Sequence, residues 1–140
     1  MRSLDTNIFL RALVQPTTPQ GQARHEACTG LFRRLAAGTE QVTSCEAVIA
    51  EVLYVLTSPR QYNLSHQDAS ARLRPLLGFR GLYLPHKRSY SRALDLFASH
   101  AMLDFEDALQ VAYLERAGER ELYSYDTDFD RVPTVTRVEP

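Results

Sequence analysis

Gln41-Val-Thr-Ser-Cys-Glu-Ala-Val-Ile-Ala-Glu-Val-Leu-Tyr-Val-Leu56 opens on a short β-prone run and passes without a loop into a stretch that is apolar except for one charge. Residues 41–45 read as a strand and 46–57 as a helix leaving it directly. From Ala47 to Leu56 every helical face is apolar apart from Glu51, so the helix is expected to be buried on all sides. No Lys or Arg lies within one turn of Glu51. A carboxylate in such surroundings must reach the helix edge, meet a distant arginine or bind a metal.

Working outward, similar runs at about 2–4, 81–84, 121–125 and 134–138 read as further strands. Helical patterns fill 7–14, 22–36, 65–78, 87–99 and 105–117, several of them closed by Gly38, Pro59, Gly78 or Gly118. The Pro/Thr/Gln-rich segment Gln15–Gln22 has no apolar periodicity and reads as a surface loop. Strands alternating with helices predict a single α/β/α domain over residues 1–140. Its mostly parallel central sheet of about five strands is covered on both faces, with the functional crevice outside the carboxyl ends of the strands.

A chain of 140 residues with 44% hydrophobic content can bury a core without disulfides or structural metal. The 16 basic and 17 acidic residues nearly cancel, which excludes a global field of the kind that coats nucleic acid or anionic membrane. Any nucleic-acid contact must be local. Lys87 is the only lysine. Cys28 and Cys45 are too few for a disulfide framework and are expected to be buried thiols in a reducing cytoplasm. His25, His66, His86 and His100 fit no metal spacing and are expected at the surface. The start of the chain has no signal-like apolar region, and Ala47–Leu56 is too short to span a bilayer, so a soluble cytoplasmic protein is expected.

The remaining information lies in the acids. Asp5 closes the first strand and opens a helix in Leu4-Asp-Thr-Asn-Ile-Phe-Leu10, a position that an ordinary N-cap would also explain. Asp104 and Asp107 flank the start of Asp104-Phe-Glu-Asp-Ala-Leu-Gln-Val-Ala-Tyr-Leu114; Asp104 suits the N-cap, and Glu106 suits the positive end of the helix dipole. Asp126, Asp128 and Asp130 follow the strand at 121–125, where a calcium loop would need Gly at 131 and Glu at 137; both are arginine. Asp130 reads as a turn acid, whereas Asp126 stands at a strand's carboxyl end. In a parallel sheet Asp5, Glu51, Asp107 and Asp126 can converge on one edge, where four carboxylates repel unless a cation offsets them. Hard oxygen donors without His or Cys select Mg²⁺ or Mn²⁺, and the matching chemistry is phosphoryl transfer to water.

Taken together, Leu4–Leu10, the Glu51 helix, Leu103-Asp-Phe-Glu-Asp-Ala-Leu109 and Tyr123-Ser-Tyr-Asp-Thr-Asp-Phe129 resemble the PIN-domain family over essentially the whole chain. The closest likeness is to its VapC-type toxin branch. The resemblance implies that Asp5, Glu51, Asp107 and Asp126 are the metal-binding acids. It further implies that Asn7 orients the first carboxylate, and that Ser124, where a threonine is more usual, supports the site with Asp128. Arg2 and Ser3 replace the apolar residues that usually precede the first acid, so strand 1 is expected to be short. An Mg²⁺- or Mn²⁺-dependent endoribonuclease is implied, acting as a homodimer on RNA and held inactive by a small antitoxin. Of the arginines at 33, 34, 72, 74, 80, 88 and 92, the pair Arg88 and Arg92 share a helix face by spacing and are candidates for RNA phosphates. A receiver-like regulatory module would need a lysine after its last strand, where Lys87 does not stand. A haloacid-dehalogenase phosphatase would need a second Asp where Asn7 stands. A PIN scaffold that binds without cutting, and a housekeeping nuclease without an antitoxin, are the remaining alternatives.

Overall fold

The computed structural model describes residues 1–140. In chain order it runs β1 (Arg2–Ser3), α1 (Thr6–Leu13), α2 (Pro19–Ala37), β2 (Val42–Thr43), α3 (Glu46–Thr57), α4 (His66–Leu77) and β3 (Leu82–Tyr83). A 3-10 turn (Lys87–Ser89) leads into α5 (Tyr90–Ser99) and α6 (Phe105–Arg116), followed by β4 (Glu121–Tyr123), a 3-10 turn (Thr127–Arg131) and β5 (Thr136–Val138). All strand pairs are parallel, as helical crossovers require. The five strands fall into a three-stranded sheet in the order β1-β2-β3 and a two-stranded sheet β4-β5. The register pairs Ser3 with Thr43, Thr43 with Tyr83, and Leu122 with Arg137.

The α/β alternation expected from the sequence is present, with shorter strands. Exposed Arg2 and Ser3 make up the whole of β1, in keeping with their polarity. The expected loop at 15–22 stops at Thr18, whose side chain accepts from the Gly21 amide at 3.0 Å while Pro19 opens α2 with its φ already set. At its other end α2 stops on Gly38, whose φ of 77° is left-handed. The helix expected at 87–99 begins only at Tyr90, because Lys87–Ser89 winds more tightly.

Helix α3 packs against α1, α4 and α6 and buries Ile49, Ala50, Val52, Leu53 and Leu56. It is not buried on every side: Glu46, Ala47, Glu51 and Tyr54 are exposed. Positions 47, 51 and 54 share one stripe of the helix, and its packed neighbours leave that stripe open. Hydropathy made the helix look uniform; its neighbours decide which stripe stays wet. Cys45, expected to be buried, is also exposed, whereas Cys28 is buried. Among the histidines only His86 is fully exposed; His66 is half-buried and stacks on Phe97 at 3.8 Å between ring centres. The buried apolar side chains form one continuous cluster from Leu4 to Val132. No helix is long and apolar enough to cross a membrane.

The tightest joint lies at Gly81, before β3. Its amide donates to Leu35 in α2 at 2.9 Å, and its carbonyl accepts from Val42 in β2 at 2.8 Å. A Cβ here would collide with the Glu40 carbonyl and stand 3.0 Å from the Leu35 Cα. Gly81→Ala is therefore expected to cost about 3 kcal/mol of stability by forcing backbone apart from backbone. A thermal melt checks this, and a variant as stable as the wild type would contradict it.

Candidate functional site

The carboxyl end of β1 is fixed before any acid appears. The Leu4 amide extends the ladder to the Thr43 carbonyl at 2.8 Å, and the buried Ser44 hydroxyl donates to the Leu4 carbonyl at 3.2 Å. Asp5 thus leaves the sheet from a clamped backbone. It occupies the N-cap position of α1, yet its carboxylate makes no capping bond. Its hydrogen-bond donor is instead the Asn7 side-chain amide, at 3.1 Å. The buried Thr6 hydroxyl reaches across to α3 and donates to Glu51 Oε2 at 2.6 Å. Thr6 and Ser44 were not legible as site residues, because their partners lie 45 and 40 residues away in the chain. The one signal was a small hydroxyl residue beside each strand end.

On α6, Asp104 is the N-cap and accepts from the Asp107 amide at 2.8 Å. Asp107 is half-buried one turn further on. Burial, the negative charge of Asp104, a hydrogen bond to that carboxylate and the charge of Asp126 together push the Asp107 pKa up to about 6. These three acids therefore belong to one electrostatic group. Glu51 and Asp104, with Tyr54 and Glu106, line a common cavity of about 280 Å³, which links α3 to that group. Asp126 caps the turn after β4: its Oδ1 accepts from the Asp128 amide at 2.9 Å, and its own amide donates to Ser124 Oγ at 3.0 Å. Asp130 belongs elsewhere, bound by Arg137 at 2.9 Å, which also donates to the Ser124 carbonyl. It is a turn acid, as its position suggested.

None of Asp5, Glu51, Asp104, Asp107, Asp126 or Asp128 is in an ion pair, since all six ion pairs of the chain lie on other residues. Of the outcomes open to Glu51, the structure shows it at an exposed helix edge, and no arginine meets it. No three or more acidic, histidine or cysteine side chains are gathered closely enough to hold an ion as they stand. The donor set is carboxylate oxygen alone, which suits a hard divalent cation.

The arginine pair departs from expectation. Arg88 sits in the 3-10 turn and not on the α5 helix, and Arg92 is occupied by Glu115, with contacts of 2.7 and 2.9 Å. The PIN domain profile matches residues 3–135. The chain belongs to the PIN domain family. A search of curated proteins finds no match. PIN domains are generally metal-dependent nucleases, so the family supports a nuclease role and a nucleic-acid substrate for this chain.

The raised pKa of Asp107 makes stability depend on pH in metal-free solution. Its folded value of about 6 exceeds the ordinary 3.8 of the unfolded chain. The folded state therefore keeps a proton that the unfolded state has released, and stability from this group falls as pH rises from about 4 through 6. With chelator present at pH 8, Asp107→Asn is expected to stabilise the protein by ~1 to 2 kcal/mol after allowance for solvent screening. The gain should vanish near pH 4. Melting curves at the two pH values check it, and destabilisation of the variant at pH 8 would contradict it.

Proposed function

We propose that this PIN domain is an Mg²⁺- or Mn²⁺-dependent endoribonuclease whose metal-binding acids are Asp5, Glu51, Asp107 and Asp126. What supports the reading is that these acids have no ion-pair partner and that burial, with the charges of Asp104 and Asp126, raises the pKa of Asp107. A divalent ion is the partner that such a set lacks. When bound, the ion supplies an activated water and offsets charge on the leaving oxygen.

The chain's own residues hold the acids in place for that task. Asn7 steadies Asp5 through its side-chain amide, Thr6 holds one oxygen of Glu51 and leaves the other free, and Ser124 and Asp128 fix the turn that carries Asp126. Asp104 spends an oxygen on capping α6, whereas Asp107 caps nothing and is the acid of that pair assigned to the ligand. With water as nucleophile, no Ser, Cys or Lys need attack phosphorus.

The motif set of the VapC branch supports a finer reading. In it the protein is the toxin of a toxin–antitoxin pair, acts as a cytoplasmic homodimer on RNA, and is restrained by a small antitoxin. Copurification with the product of an adjacent small reading frame tests the antitoxin.

For the chemistry, Asp5→Asn and Asp126→Asn are each expected to reduce RNA cleavage with Mg²⁺ or Mn²⁺ by at least about a hundredfold with the fold intact. Asp107→Asn should do the same, while Asp104→Ser, which keeps a capping oxygen, should stay active and stable. Cleavage assays beside melting curves decide it. An active Asp107→Asn with an inactive, folded Asp104→Ser would reverse the two roles.

A further inference from the structure

The chain's only lysine has no anionic partner. Lys87 is half-buried, and its ammonium donates to the carbonyls of Phe79 at 2.9 Å and Leu82 at 2.7 Å, with no carboxylate in ion-pair range. Burial lowers its pKa, the direction expected of a cation short of compensation. It lines a cavity of about 560 Å³ together with His86, Arg88, Tyr113 and Arg116. No acid lines that cavity, although acids outnumber bases in the chain as a whole. Arg88 and Arg116 are both exposed, and neither is in an ion pair.

Helix electrostatics explains only part of this. Arg116 lies in the last turn of α6, where a cation offsets the negative end of the dipole. Lys87 and Arg88 stand just before the first turn of α5, at a positive end that disfavours them and that no side chain caps. His86, which leads into this turn, holds a left-handed backbone at φ 56°, a conformation that costs a non-glycine residue energy. Strain, like charges and a helix's positive end are gathered around one hollow, and an anion would relieve the electrostatic part.

We propose that this cavity binds an internal phosphodiester of the RNA strand, close to the point of cleavage. Tyr113, in its wall, lies six residues beyond Asp107, about 9 Å along α6. The Tyr113 hydroxyl also donates at 3.1 Å to Glu46, in the first turn of the helix that carries Glu51. The cavity and the acid edge therefore share α6, and a hydrogen bond from the cavity wall ties that helix to α3. The strand's identity rests on the nuclease reading, whereas the demand for an anion does not. A phosphate contact of this kind positions the strand and is indifferent to its sequence.

The test is the affinity of the full chain for labelled single-stranded RNA oligonucleotides, with and without a 5′-phosphate, in chelator and across a salt series. Arg88→Gln combined with Arg116→Gln changes only exposed side chains, and a melting curve verifies the fold. The double variant is expected to bind both oligonucleotides about tenfold more weakly at low salt. The slope of log affinity against log salt should shrink by about 0.7, the value for one phosphate on a single strand. Arg33→Gln, on the exposed face of α2, should match the wild type. Unchanged affinity and slope in the double variant would overturn the proposal, as would a loss confined to the 5′-phosphorylated oligonucleotide. If the wild type shows the expected binding but cleaves no RNA with either metal, the nuclease reading fails and the cavity stands. If it cleaves and the double variant binds normally, the cavity fails alone.

Discussion

Asp107 is held half-buried and within the field of Asp104 and Asp126, and keeping its carboxylate there requires a frame stiff enough to resist burial and repulsion together. Backbone clamps at the strand ends supply part of that frame. Ser44 ties the end of β2 to Leu4, the Ser124 hydroxyl accepts from the Asp126 amide, and Asp104 binds the first turn of α6. The apolar packing of α3 against α1, α4 and α6 supplies the rest. The frame keeps a destabilising arrangement because neighbours over-determine it, as is common where a site is built for a ligand.

Charge in this protein is separated rather than absent. A formal net charge of −1 conceals acids without ion-pair partners and, beside α6, a cavity lined by basic side chains and no acid. Elsewhere the charges pair, as in Arg92 with Glu115, Arg74 with Asp95 and Arg137 with Asp130. Each of these pairs keeps at least one exposed side chain, and such pairs contribute modestly to stability. Their value here is that they mark, by contrast, the charges left unpaired. Balanced composition excluded a protein that coats nucleic acid over its whole surface, and it was silent on local fields.

The alternation of elements was legible because apolar periodicity and stop signals agree over most of the chain. Polar Arg2 and Ser3 announced a short β1, and Gly38 a helix end. The capping role of Asp104 and the turn role of Asp130 were also legible, since each follows from local backbone chemistry. What was not legible depends on partners distant in sequence. The open stripe of α3 depends on which neighbours pack against it, and the exposure of Cys45 likewise. Thr6 and Ser44 act on residues far along the chain. Thr18 and Pro19 were readable as a helix start, but the surrounding Pro/Thr/Gln composition concealed it. Arg92 looked free until the fold brought Glu115 to it.

If the unpaired acids bind a divalent cation, the melting temperature of the wild type in chelator against millimolar Mn²⁺ or Mg²⁺ shows it most directly. A ligand that binds only the folded state raises stability with the logarithm of its concentration. Such a rise is expected in the wild type and a much smaller one in Glu51→Gln, which removes a proposed ligand charge from an exposed stripe without disturbing the core. Equal melting temperatures for the wild type in chelator and in either metal would contradict it.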